Sequence, residues 1–448
     1  MRSGRSPAVC VNLNLPTDES VGRFKYSIIS EDVLTALPSM EEASFCACLC
    51  DPPYHLTSGN DVSKGFMGQR WDGGDIAFRK ETWEAVMRVL KPGAFMMAFG
   101  GPRTFHRLVC AIEGSGMDIR DLIVWLYADG RPPSFDISKG IDKAKGAERK
   151  VVGKYQPPGM SKPWNLKNAK DDRTVEMFAS SRNNLDVTEP ATEEAKLWSG
   201  YGTALKPACE LVSVSMRPMP GGFVDNALSA GVAGLNIDAA RIPVIGGEEL
   251  KGGSGGRLSH IRDGKPYPKD DNGYAPSPLG RWPKNAILDE EASAMLASRT
   301  QDVGTTKPHR AFSRTGRYDK GDAKGADRFF YCPKAPTEER NLGLPAGRKN
   351  GHPTVKPLAL LRYLCSLVLP PKIAGKPRRM LVPFSGSGSE MVAAMLVGFD
   401  EVVGIENGGG DDKVARENVE TANMRLSYWK KRMLEENMSV FDDPDTEG

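Results

Sequence analysis

The chain has 448 residues, enough for two or three domains with a sizeable core. A formal net charge of +3 is too small to hold nucleic acid through a global field, so such a partner would need a local basic patch. Eight cysteines without paired metal spacing, no apolar leader and no apolar run of membrane-spanning length point to a reducing cytoplasm and argue against a membrane protein.

Residues 1–24 mix Gly, Pro, Ser and charge and read as a loose arm. Residues 24–29, Phe-Lys-Tyr-Ser-Ile-Ile, read as a strand, and Asp32 follows where it could cap a short helix. The next apolar run, residues 43–50, stops at Asp51-Pro52-Pro53-Tyr54, which predicts a buried strand ending in a rigid loop. Two prolines fix φ and remove donors, leaving neighbouring carbonyls as outward acceptors. A carboxylate beside a carbonyl can accept both hydrogens of an exocyclic amine, and Tyr54 offers a face on which a base can stack. Taken alone, the same four residues also fit a strand-end turn with a solvated Asp. Cys46, Cys48 and Cys50 share one face of this strand, but successive thiols are roughly 6–7 Å apart. That spacing is too wide for one tetrahedral metal, and core packing is the expected role; with five histidines in the chain, no metal site is expected.

Residues 58–68, polar and glycine-rich, read as a mobile lid near that loop. Residues 81–90 have helical apolar spacing and are stopped by Lys91-Pro92-Gly93. A strand at 94–99, a helix at 104–114 and a strand at 119–127 continue the alternation. Such repeated units predict an α/β fold, a doubly wound and mostly parallel sheet with helices on both faces.

From residue 128 to 348 the alternation is lost. Residues 138–173 are basic: Lys139, Lys143, Lys145, Arg149, Lys150, Lys154, Lys162, Lys167, Lys170 and Arg173, with Tyr155 and Trp164 interleaved. Such a stretch can track a phosphate backbone or simply form a solvated face. Residues 198–207 lead into a strand at 210–216, while residues 246–281 and 300–327 are Gly-, Lys- and Asp-rich with little periodicity. No internal repeat is evident.

At residues 380–389, Met-Leu-Val-Pro-Phe-Ser-Gly-Ser-Gly-Ser, a second apolar strand enters a glycine turn. A helical stretch at 390–397, Gly398 and a strand at 402–406 ending in Glu406 follow. Strand, glycine loop, helix, strand and terminal acid is the arrangement that binds an adenosine-containing cofactor, the acid accepting from ribose hydroxyls. No Gly-Lys-Ser/Thr follows, which disfavours a phosphate-binding loop.

With Asp51-Pro52-Pro53-Tyr54, the Gly-rich turn and Gly351-His-Pro-Thr-Val-Lys-Pro-Leu358 in this order, the chain resembles the S-adenosylmethionine-dependent DNA amino-methyltransferases of the beta arrangement, and in particular the DNA methylases of phages and prophages. That resemblance implies a Rossmann-like methyltransferase domain with a large irregular target-recognition insert. The expected organisation is an arm at 1–24, a catalytic half at 25–127, the insert at 128–348, a cofactor half at 349–432 and a tail at 433–448. Within the insert, 196–218 and 328–335 are expected to return to the core. The catalytic set would be Asp51, Pro52, Pro53 and Tyr54. The S-adenosylmethionine set would be Asp32, as the contact to the adenine amine, with Thr354, Lys356, Pro383, Phe384, Ser385, Gly386, Ser387, Gly388, Ser389 and Glu406. DNA contacts would come from Lys139, Lys143, Lys145, Arg149, Lys150 and Lys154. Two departures from the family pattern stand out: Val382 occupies a position that usually carries Asp, and Ser389-Glu390 replaces a pair of threonines.

The resemblance further implies that double-stranded DNA is the partner, that the target base leaves the duplex, and that transfer needs no covalent enzyme intermediate. A tetrad beginning with Asp favours adenine N6 over cytosine N4, since Ser is commoner at that place among the resembled cytosine enzymes. No nuclease motif is evident, a homodimer is left open, and a phage-encoded protein would work in the host cytoplasm. A nicotinamide-dependent oxidoreductase would share the glycine loop but leave the tetrad unexplained, and a catalytically silent DNA-binding relic would fit Val382.

Overall fold

The structure, a computed structural model, describes residues 24–56, 70–127, 134–154, 186–242, 261–262, 265–266, 279–300, 339–352, 354–407 and 411–435. The expected arm at 1–24 apart from Phe24, the lid, residues 328–335, and the basic positions beyond Lys154 therefore lie outside the described residues. The chain divides into two compact units, residues 1–128 with 209–448, and residues 129–208.

The strands are β1 (Lys25–Ile29), β2 (Phe45–Cys50), β3 (Leu90–Gly100), β4 (Asp118–Leu126), β5 (Val151–Lys154), β6 (Asp186–Thr188), β7 (Cys209–Met216), β8 (Ile261–Arg262), β9 (Lys265–Pro266), β10 (Ala286–Leu288), β11 (Arg379–Pro383) and β12 (Glu401–Ile405). Eight of them form one sheet in the order β1-β12-β11-β2-β3-β7-β4-β10. β7 is antiparallel to both of its neighbours, β3 and β4, and every other pairing in the sheet is parallel. This is the doubly wound, mostly parallel α/β sheet that the alternation predicts.

Every residue of β2 is buried, and the period-two alternation of its side chains divides them between two cores. Cys46, Cys48 and Cys50 face one core with Trp83 and Val86 of the Lys80–Val89 helix and Leu108 and Ile112 of the Phe105–Gly114 helix. Ala47 and Leu49 face the other with Leu361 and Leu364 of the Leu358–Val368 helix and Val392 and Leu396 of the Ser389–Val397 helix. The long helix Asp412–Glu435 adds Leu426 and Trp429 to this second core.

Two differences from the sequence reading have local causes. Lys91-Pro92-Gly93 does not separate helix from strand: β3 already begins at Leu90, and its pairing with β2 jumps from Phe45↔Leu90 to Ala47↔Phe95, so the three residues form an irregularity within the strand. The three-residue β10, lying between the Gly-, Lys- and Asp-rich stretches at 246–281 and 300–327, also joins the sheet beside β4.

In the smaller unit, Asp136 caps the Ile137–Ala144 helix through the Lys139 amide at 3.0 Å, and β5 pairs with β6. Lys139, Lys143, Lys145 and Lys150 are exposed, and Lys145 pairs with Glu194. Arg149 departs from the outward placement a phosphate contact needs: it is held by Asp142 at 2.6 Å, Ser138 at 3.1 Å and Thr188 at 2.9 Å. The buried Asp142 carboxylate requires a cation there, and Arg149 supplies it.

Candidate active site

β2 and β11 are neighbours, paired at Met380↔Ala47 and Leu381↔Cys48. The chain turns away from this pair in opposite directions, to β3 on one side and to β12 on the other, which makes it the switch point of the sheet. Loops leaving the carboxyl ends of strands at such a point flank a crevice. Asp51 and the Gly-rich loop therefore emerge side by side, although more than three hundred positions of sequence lie between them.

The tetrad is braced from several elements. Backbone amides of His55 and Leu56 each donate to the buried Asp72 carboxylate at 2.8 Å, which offsets the left-handed φ of 50° at His55. Thr104 Oγ1 donates to the Tyr54 carbonyl at 2.7 Å. Gly101 lies against the Tyr54 ring so closely that a Cβ there would stand 3.0 Å from Cδ2. Lys356 Nζ donates to Asp51 Oδ2 at 2.6 Å, while Asp51 Oδ1 is buried with no partner among the described residues. Burial works against the Lys356 charge, but Asp51 and Glu210 outweigh it and hold the ammonium above its ordinary range. Burial, then the nearby Asp51 and Glu210 charges, push the Tyr54 phenol well up, so it remains a donor. Lys356, expected to line the cofactor site, thus turns its ammonium to the tetrad.

The loop after β11 carries left-handed φ at Phe384 (62°), Gly386 (48°) and Gly388 (78°). A non-glycine residue in that region is strained and persists only when its surroundings fix it. Here they do. Ser385 N donates to Ile405 O at 2.9 Å and Gly388 N to Ser385 O at 2.8 Å, and Gly386 N donates to Glu406 Oε2 at 2.8 Å. Asn350 Nδ2 reaches Ser387 Oγ at 3.0 Å. Beneath the loop, fully buried Arg425 donates to the Ser387 carbonyl at 2.9 Å and to Ser389 Oγ at 2.8 Å. Burial pushes the Arg425 guanidinium down to about 10.

Glu406 follows β12 directly and also accepts from Asn418 Nδ2 at 3.0 Å. Asp32 does act as a helix cap, accepting from Leu34 N at 2.9 Å, and its second oxygen accepts from Asn407 Nδ2 at 3.0 Å. Thr354 is half-buried in the segment leading to Lys356. The donor set suits an adenosine-containing ligand: two carboxylates at adjacent strand ends, a Gly-rich turn opening a helix, and a buried Ser385 hydroxyl with no partner among the described residues. Sequence reasoning missed Glu210, Asp72, Thr104, Asn350, Asn418 and Arg425, none of which lies in a motif.

Residues 46–409 match the DNA methylase family, N6_N4_Mtase, over a span that contains both loops. The chain belongs to the N6/N4 DNA methylase family. It is an S-adenosylmethionine-dependent DNA methyltransferase with the Rossmann-like methyltransferase fold. Similar solved structures include M1.HpyAVI, 10% identical over 90% of this chain and 98% of that one with a TM-score of 0.35. Its complex with S-adenosylmethionine is 12% identical over 90% and 100% of the two chains, with a TM-score of 0.33. The cytosine-N4-specific PvuII DNA methyltransferase is 11% identical over 90% and 93%, with a TM-score of 0.36. No curated protein sequence gives a significant match. No helix among the described residues is long and apolar enough to cross a membrane.

Proposed function

We propose that this methylase modifies the exocyclic N6 of adenine in double-stranded DNA after the base has left the helix. The observation that carries the reading is Asp51: one carboxylate oxygen is held by Lys356, and the other is buried with no partner among the described residues. A buried acceptor of that kind costs stability unless something donates to it. An amine hydrogen directed at Oδ1, with the second at the Pro52 carbonyl, meets that requirement. Both bonds draw the amine nitrogen toward tetrahedral geometry and free its lone pair. Tyr54, braced at its carbonyl by Thr104 and at its ring by Gly101, supplies the stacking face.

Asp32, Thr354, Glu406 and the loop at 383–389 would hold S-adenosylmethionine, whose bound form supplies an electrophilic methyl group on sulfur. The protein's part in the reaction is positioning and electrostatics. Asp51 and Pro52 orient the amine, Tyr54 fixes the base plane, and buried side chains exclude water. Lys139, Lys143, Lys145, Lys150 and Lys154 of the smaller unit are the candidates for phosphate contact.

Mass spectrometry of nucleosides from DNA incubated with the protein and S-adenosylmethionine tests the reading, with N6-methyladenine as the expected product. N4-methylcytosine would keep the role of Asp51 and overturn the base. Asp51→Ala should bind the cofactor with wild-type affinity by calorimetry and lose nearly all transfer; continued methylation would remove Asp51 from the chemistry.

A further inference from the structure

Glu210 enters from the one reversed strand of the sheet. Because β7 opposes β3, with Gly100↔Leu211 in register, the start of β7 lies at the carboxyl edge of its parallel neighbours. Its first residues therefore reach the same edge as Asp51. Tyr54 Oη donates to Glu210 Oε2 at 2.8 Å. Lys356 Nζ is 3.2 Å from that same oxygen, 3.2 Å from Tyr54 Oη and 2.6 Å from Asp51 Oδ2. The three ammonium hydrogens thus have three acceptors, and the single phenol hydrogen has one. The circuit is enclosed, with the Lys356 side chain 6% exposed and Glu210 21% exposed, and Lys356 Nζ stands 5.0 Å from the centre of the Phe99 ring.

We infer that Glu210 is a positioning residue for methyl transfer, fixing the Tyr54 ring through its hydroxyl and sharing Lys356 with Asp51. The inference rests on the reading of Asp51 and Tyr54 as the residues that hold the base. Tyr54 is tied to Thr104 at its carbonyl, so a second tie at the hydroxyl leaves the ring no freedom to swing out of the stacking plane. Lys356 is the counter-charge that lets two carboxylates share a buried corner. Glu210 in turn draws the ammonium away from a purely bidentate hold on Asp51, which keeps Asp51 Oδ1 available to the amine. In an apolar surrounding each of these bonds is stronger than in water, and the members act as one network.

The test compares Glu210→Gln, which keeps an acceptor for Tyr54 but no charge for Lys356, with Glu210→Ala, which keeps neither, each alone and with Tyr54→Phe. On unmethylated genomic DNA, kcat should fall about tenfold or more in Glu210→Ala and less in Glu210→Gln, the loss of one network bond being about tenfold in rate. The KM for S-adenosylmethionine, and the calorimetric affinity for it, should not change, which also shows that the variants are folded. In the Tyr54→Phe background, Glu210→Ala should cost clearly less than it does alone, the remainder being the share of Lys356 that does not pass through the Tyr54 hydroxyl. Wild-type kcat in Glu210→Ala, or losses that simply multiply, would overturn the inference. Melting temperatures of the wild type, Tyr54→Phe, Glu210→Ala and the double variant give a readout independent of activity. Tyr54→Phe should lower the melting temperature more in the presence of Glu210 than in Glu210→Ala, where the hydroxyl keeps only its bond from Lys356; equal shifts in both backgrounds would overturn the inference. If the wild type methylates no DNA, the reading of the site fails, and the melting comparison still decides whether Glu210 holds Tyr54.

Discussion

Glu390 stands where the resembled family carries a threonine, and it is almost wholly buried. Burial first, and the Asp51 charge second, push its carboxyl up to about 7 from 4.5. His352 moves the other way: burial depresses it from 6.5 to about 4, with Glu406 opposing and Lys356 assisting. The consequences for stability have opposite signs. The folded protein prefers protonated Glu390, so that contribution is complete below pH 4.5 and lost as pH rises through 7. It also prefers neutral His352, so that contribution is complete above pH 6.5 and lost as pH falls through 4. The two overlap and largely cancel across mildly acidic pH. Glu390→Gln removes one side of this balance. It should stabilise the protein relative to wild type at pH 8 but not at pH 4.5, the difference approaching roughly 3 kcal/mol if the whole shift is realised. Calorimetric melting at the two pH values checks this, and an equal effect at both would show that Glu390 does not titrate near 7.

At the scale of elements, the loop after β11 depends on glycine for two separate reasons. Gly388 has φ of 78°, and a Cβ there would stand 2.8 Å from Ala422 Cβ and 3.2 Å from its Cα. Gly388→Ala should therefore cost about 1–3 kcal/mol of stability from backbone strain and weaken S-adenosylmethionine binding, because the loop or the Asp412–Glu435 helix must give way. Denaturation and calorimetry measure the two effects, and a variant with unchanged stability and affinity would show that the loop has room to spare. This element was legible in the sequence because its apolar strand, glycines and terminal acid are contiguous or nearly so. The same holds for β2 and its tetrad. The direction of β7 was not legible, since a strand's pattern of burial is the same whichever way it runs. Glu210 accordingly read as nothing more than the first residue of a returning strand. Arg425 and Asn418 were hidden for a related reason: they lie in a helix whose charged residues look solvent-facing until the helix is laid beneath the loop. β10 is too short to show a period at all.

For the whole molecule, the decisive feature is how the smaller unit is spliced into the chain. The chain leaves the sheet at the end of β4 and re-enters at the start of β7, and these ends are direct partners, Leu126↔Cys209. Tyr127 Oη reinforces the junction by donating to the Cys209 carbonyl at 3.3 Å. In the sheet, β4 and β7 are therefore a hairpin whose connection happens to be a separate compact unit of residues 129–208. Two antiparallel strands with paired ends can be joined by a two-residue turn, so replacing residues 127–208 with Asn-Gly should leave the sheet and the crevice at β2 and β11 intact. We predict that the shortened protein melts cooperatively and binds S-adenosylmethionine as the full chain does. It should lose DNA methylation, because Lys139, Lys143, Lys145, Lys150 and Lys154 leave with the smaller unit and phosphate neutralisation supplies much of DNA affinity. Loss of cofactor binding would mean that the residues removed support the larger unit's fold. Methylation at the wild-type rate would instead move the DNA-binding surface onto the larger unit, where the site itself would have to hold the duplex.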